Sequence, residues 1–193
     1  MIHADSIVFG SRKFMVEENG KQPDVAIQLA GNDPSIMAEA AKIIAQYNYN
    51  EININVGCPS PRVQKCKVGA ALMKDPSLVA NCIRSISDVV DLPLSIKTRI
   101  GVDDKDSYRF LYDFVAETAD AGCRVFIIHA RKAFLNGLNP KQNRTIPPID
   151  YEKVYRLKDD FKNLRIIVNG EIGSIEQIEQ HLLHLDGVMI GRK

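Results

Sequence analysis

The sequence has no apolar run near the roughly 18 residues that a membrane-crossing helix requires, so a transmembrane protein is not expected. Its opening, Met1-Ile-His-Ala-Asp-Ser6, lacks the basic segment and apolar stretch of a secretory signal. There is no Cys-x-x-Cys. Cys58, Cys66, Cys82 and Cys123 stand at wide, irregular spacings that fit neither a zinc site nor a disulfide framework. No metal is therefore expected, and unpaired thiols suit a reducing cytosol, which makes a cytoplasmic location the expectation. Asn143-Arg-Thr145 matches a glycosylation sequon, a coincidence in a chain without secretion. Charge of one sign is also lacking: 25 Lys and Arg against 24 Asp and Glu leave +1. Bulk charge thus gives no sign of nucleic acid or membrane, and an RNA site must be a local patch.

What is present is alternation. Short β-branched runs at Val25–Leu29, Glu51–Gly57, Leu94–Ile100, Arg124–His129, Arg165–Asn169 and Gly187–Ile190 read as six strands. Amphipathic stretches separate them, opened by capping signals such as Asn32-Asp-Pro34 and Ser174. Strands so nearly continuous in apolar residues imply a parallel sheet covered on both faces, either an open doubly wound sheet or a (β/α)₈ barrel. Polar residues recur at strand ends: Gln28, Asn55 with Cys58, Lys97 with Arg99, His129 with Arg131, Asn169 and Arg192. A barrel assembles its site from many strand ends at one rim, whereas an open sheet uses one switch point. No Gly-x-Gly-x-x-Gly follows the first strand. The expectation is an incomplete TIM barrel, with about six of eight β/α units.

Several strand ends carry candidate chemistry. Asn55-Val-Gly-Cys-Pro-Ser60 turns sharply and presents the Cys58 thiol at the rim, although a lone cysteine is often only structural. Val68-Gly-Ala-Ala-Leu-Met73 reads as a mobile loop able to close over the site, with Cys66 beside it as a weaker candidate. Lys97 lies within an apolar strand, where an ammonium is costly unless an anion or polar cofactor meets it. His129 ends an otherwise apolar strand; a satisfied core histidine is its plain alternative. Asn169-Gly-Glu-Ile-Gly173 and Gly187-Val-Met-Ile-Gly-Arg192 place glycines where barrels often bind phosphate. Together with Gln28 and Lys97, the pattern indicates an FMN-type site.

As an ordered set, Asn55-Val-Gly-Cys-Pro-Ser60, Lys97-Thr-Arg-Ile-Gly101, Ile127-Ile-His-Ala-Arg131, Asn169-Gly170 and Gly187–Arg192 resemble the motifs of tRNA-dihydrouridine synthases. The stretches Gly101–Tyr108, Arg131–Arg144 and Ile146–Tyr151 resemble the A subfamily, the tRNA-dihydrouridine(20/20a) synthases. The resemblance implies FMN reduced by NADPH, hydride delivery to C6 of a flipped uracil in the tRNA D-loop, and Cys58 as proton donor to C5. It also implies that Gln28, Lys97 and His129 contact the flavin, and that Asn169, Gly170, Glu171, Gly191 and Arg192 hold its phosphate end. Asn55, Arg131, Lys141 and Arg144 are implied tRNA contacts; for Lys141 and Arg144 the residues alone favour solvated bases in a polar loop.

The sequence departs from the family pattern in three places. It has no Ala-Pro-Met strand, it has no C-terminal helical tRNA-binding domain, and Glu171 replaces the second glycine of Asn-Gly-Gly. Residues 1–193 are thus read as a partial FMN-binding barrel domain, truncated at both ends. Two alternatives stand beside this reading. One is a non-catalytic remnant of such an enzyme, with exposed sheet edges and poor solubility. The other is an FMN barrel acting on a small metabolite such as dihydroorotate.

Overall fold

A computed structural model describes residues 1–10, 16 and 24–191. Its strands are β1 Ile2–His3, β2 Ala26–Ala30, β3 Glu51–Asn55, β4 Leu94–Arg99, β5 Val125–His129, β6 Arg165–Asn169 and β7 Gly187–Met189. Its helices are α1 Ala4–Val8, α2 Pro34–Ile44, α3 Pro61–Lys65, α4 Pro76–Ser87, α5 Tyr108–Asp120, α6 Tyr151–Asp160 and α7 Ile175–Leu182.

The sheet order is β1 to β7 in sequence, and every pair is parallel. A doubly wound sheet would reverse its order at a switch point, and this one does not. The architecture is an incomplete (β/α) barrel. Six strands are legible from the sequence and a seventh joins them: Ile2–His3 is only two residues long and pairs with Leu29 and Ala30. Among the described residues β1 pairs only with β2, and β7 only with β6.

Local chemistry sets the helix starts. Asp33 accepts from the backbone N–H of Ser35 and Ile36, with Pro34 in the first turn. Asp75, Ser107 and Asp150 cap α4, α5 and α6 in the same way. Ser174 and Gln177 form a reciprocal capping box on α7. The apolar faces of these helices meet the outward side chains of the strands in one core that includes Ile54, Ile83, Ile96, Phe114, Phe126 and Ile166. Phe126 is fully buried in the middle of the sheet. Phe126→Ala is expected to cost about 3–5 kcal/mol, measurable by urea unfolding, because the cavity left between the sheet and its helices cannot collapse.

One expectation is corrected. Gly69–Lys74 is not a mobile loop but a 3-10 helix whose Gly69, Ala70, Leu72 and Met73 are buried. Its apolar residues belong to the core, which fixes the segment in place. The stretch before it also contains α3, capped by Ser60 and started by Pro61.

Candidate functional site

The register of the sheet brings the strand ends together. Asn55 lies beside Lys97, Arg99 beside His129, and His129 beside Asn169. Side chains two apart on a strand point the same way, so Lys97 and Arg99 share a face. The result is a cavity of about 280 Å³ at the carboxyl ends of the strands. Gln28, Asn55, Cys58, Lys97, His129, Arg144 and Asn169 line it, as do Gly57, Pro59, Thr98, Arg99 and Pro140.

The Cys58 turn is braced from several sides. The Asn55 carboxamide oxygen accepts from the N–H groups of Gly57 (3.2 Å) and Cys58 (3.0 Å), and its amino group donates to Gln28 (2.9 Å). Gln28 in turn donates to Asn53, which donates to Ser95, a polar chain crossing β2, β3 and β4. The Cys58 carbonyl accepts from the Ala70 N–H at 3.0 Å. This contact requires Gly69, whose φ is +70° and where a Cβ would stand 2.5 Å from the Cys58 oxygen. Cys58 is partly exposed at the cavity, whereas Cys82 and Cys123 are buried and their thiols are pushed up to about 12 by that burial. Cys66 is exposed but does not line the cavity.

Lys97, Arg99, Arg144 and the His129 imidazole also line the cavity. Lys97 donates to the Asn169 carboxamide oxygen at 3.1 Å. Burial, and then the charge of Arg99, bring its ammonium down to about 8. Arg99 is buried and spans two loops, donating to the carbonyls of Gly57 (2.9 Å), Lys132 (3.1 Å) and Asn143 (2.9 Å). His129 is pushed down to about 3, first by burial and then by the positive charges of Arg99, Lys97, Arg131 and Arg144. It is a neutral ring at physiological pH, and its buried Nδ1 has no partner.

This imidazole makes the fold acid-sensitive. The unfolded chain takes up a proton near pH 6.5, while the folded chain refuses one until about pH 3. The contribution is therefore full above pH 6.5 and is lost as pH falls towards 3. Urea unfolding of the wild type is expected to lose roughly 1–2 kcal/mol between pH 6.5 and about 4.5, above the carboxylate range, and His129→Gln to flatten that segment.

The remaining expected site residues divide. Gly170 (φ +128°) sits against the His129 ring and its carbonyl accepts from the Tyr151 hydroxyl at 2.6 Å, but neither it nor Gly191 lines the cavity. Glu171 adopts φ +51°, and its half-exposed carboxylate pairs with Arg131 at 2.5 Å. A glycine would adopt that backbone without strain. Arg131 is itself buried, also donates to the Pro147 carbonyl, and stays outside the cavity. Lys141 is exposed and does not line the cavity, whereas Arg144 does. Arg192 lies outside the described residues.

Two contributors carried little signal in the sequence. Arg99 is legible as a strand-end base, but its grip on the Cys58 turn is not. Asn143, the sequon residue, is fully buried and holds the 134–139 loop through bonds to Phe134, Leu138 and Asn139. Its glycosylation would require that loop to open.

The ordered parallel sheet defines a β/α-barrel protein with a cavity lined by polar residues at the strand ends. The chain belongs to the dihydrouridine synthase (Dus) family, whose sequence model matches residues 1–193. It is 51% identical over 194 residues to the tRNA-dihydrouridine(20/20a) synthase of Vibrio vulnificus, covering 100% of this chain and 59% of that protein. The proteins of the same name from Synechocystis and Escherichia coli K12 are 51% and 50% identical, again over 100% of this chain but 58% and 56% of theirs. The chain thus spans less than three-fifths of the length of these curated relatives.

Solved structures show the fold alone. A 2-naphthoyl-CoA reductase aligns with TM-score 0.57 at 14% identity, over 82% of this chain and 26% of that one. A 2,3-dimethylmalate lyase aligns with TM-score 0.55 at 12% identity, over 86% of this chain and 51% of that one. Among the described residues no helix is long and apolar enough to cross a membrane, and no group of three or more His, Cys, Asp or Glu could hold a metal ion.

Proposed function

We propose that this chain carries the catalytic site of a cytosolic, FMN-dependent enzyme that reduces uridine to 5,6-dihydrouridine in the D-loop of tRNA, with NADPH as reductant. The observation that carries the proposal is the single cavity shared by Cys58, Lys97 and His129. The names of the curated relatives support the same reaction.

The residues fit FMN. The half-buried Lys97 ammonium and the neutral His129 ring line a cavity near the lower end of small-ligand clefts, roughly 300 Å³. Gln28, Lys97 and His129 would hold the ring system and ribityl chain, and Asn169 with the loop at Gly170 and Glu171 the phosphate end, joined by Gly191 and Arg192. When bound and reduced by NADPH, FMN supplies the hydride that adds to C6 of the uracil.

The protein's own groups do the rest. Lys97, as a cation, and His129, as a neutral ring, would meet polar atoms of the bound ligand. Cys58 gives its proton to C5 as general acid, so that one hydride and one proton saturate the double bond. Asn55, Gly69 and Arg99 hold the turn from which the thiol reaches the base. Arg144 and Lys141 face the RNA beyond the cavity, and Arg131 braces the rim through Glu171.

The test is direct. Incubating the protein with unmodified tRNA transcript, FMN and NADPH is expected to yield dihydrouridine, read by nucleoside mass spectrometry. A protein that retains FMN yet leaves every uridine unreduced would overturn the assignment.

A further inference from the structure

Beside the cavity runs a second concavity, a groove of about 580 Å³ lined by Pro61, Gln64, Lys65 and residues 135–139. The two share a lip: Pro59 and Pro140 line the cavity, while Pro61 and Asn139 line the groove. The groove is a built feature. The Gln64 amide donates to the carbonyls of Pro59 (2.8 Å) and Leu135 (2.6 Å), tying α3 to the opposite wall.

Charge around it is one-sided. Residues 58–67 contain Arg62, Lys65 and Lys67 with no Asp or Glu, and residues 131–146 contain Arg131, Lys132, Lys141 and Arg144, again with no acid. The chain as a whole is only +1, so this is a local concentration. Arg131 and Lys132 are paired with Glu171 and Asp106. Arg62, Lys65, Lys67 and Lys141 are exposed and take part in no ion pair among the described residues. The plain alternative is that Arg62 and Lys65 merely complement the carboxyl end of α3, but a five-residue helix has little dipole to complement.

We infer that this groove is a phosphodiester track, which carries the RNA backbone flanking the base held in the cavity, with Arg62 and Lys65 neutralising its phosphates. The inference rests on the uridine-reducing function proposed above. A nucleotide in the cavity must lead its neighbours over the shared lip, and on that side they meet unpaired cations. The rest of the lining mixes the amides of Gln64, Asn136 and Asn139 with the apolar Pro61, Leu135 and Leu138, so the cations at its edge are what a backbone would contact, without base readout.

The experiment compares the wild type, R62Q/K65Q and the control R84Q/R165Q, which removes two exposed charges away from the groove. Binding of an unmodified tRNA transcript is measured across a salt series, together with FMN uptake and melting temperature. Each phosphate contact on a single strand contributes about 0.7 to the slope of log affinity against log salt, so R62Q/K65Q is expected to lower that slope by about 1.4 and to bind about tenfold more weakly at 0.1 M salt. FMN uptake and melting should stay as in the wild type, and the control should keep the wild-type slope. If the wild type binds RNA and R62Q/K65Q matches its slope, or the control loses as much, the track is overturned while the uridine-reducing function stands. If the wild type shows no salt-dependent RNA binding, both are overturned.

Discussion

Replacing Cys58 with alanine is expected to lower dihydrouridine formation by about two to four orders of magnitude, while FMN uptake and melting temperature stay close to those of the wild type. A positioned general acid contributes roughly this much, equivalent to about 3–5 kcal/mol of barrier. The loss should fall on turnover rather than on cofactor binding. The turn at Cys58 is held by backbone groups, through Asn55, Ala70 and Arg99, and not by the thiol itself. Cys58→Ser tests the same point from another side, since a hydroxyl fills the space but gives up its proton far less readily. Cys66→Ala serves as the control, because that thiol lies outside the cavity. Equal losses in C58A and C66A would mean that neither thiol is the proton donor.

Lys97→Met is expected to separate stability from function. In the free protein the ammonium is held at about 8 by burial and by Arg99, against an ordinary value of 10.5. Below pH 8 the half-buried charge thus costs the fold on the order of 2 kcal/mol, a cost relieved between about pH 8 and 10.5 as the proton leaves. Methionine keeps the stem and removes the charge, so K97M should melt at a higher temperature than the wild type. It should also bind FMN at least tenfold more weakly, because a charged hydrogen bond of about 1.5–3 kcal/mol is gone. The same linkage gives a pH signature. Wild-type FMN affinity should be level below about pH 8 and fall above it, as the free lysine deprotonates, while K97M should show no such fall. A destabilised K97M with unchanged flavin affinity would make Lys97 a structural residue.

How far these features were legible follows from their physical range. The strands could be read because Val125–His129 is apolar up to its last residue, while Glu51–Asn55 and Leu94–Arg99 alternate apolar Ile and Leu with polar residues that continue to the rim. Strand β1 carries little signal of its own beyond a strand end at Met1-Ile2, since two residues have no periodicity and Ile2–His3 is defined by its partners Leu29 and Ala30. Gly69–Lys74 looked like a loop because it combines a glycine with a short apolar run; only its burial against the core shows it to be fixed. In the site, Cys58, Lys97 and His129 stood out because a reactive or charged group at the end of an apolar strand needs a reason. Arg99, at the end of the same strand as Lys97, was visible as a base but not as a brace, because its partners are backbone carbonyls 33 to 44 residues away. Asn143 was hidden for the same cause. Lys141 and Arg144 lie three apart in one polar loop, yet Asn143 turns that loop so that only Arg144 reaches the cavity.

If the proposed function is right, the cavity shared by the Cys58 thiol, the Lys97 ammonium and the His129 imidazole takes up one flat cofactor. Titrating purified protein into FMN while following flavin fluorescence tests it most directly. Saturable quenching at one flavin per chain is expected, weakened in K97M and in His129→Gln but retained in C58A. Flavin fluorescence unchanged at high protein concentration would contradict it.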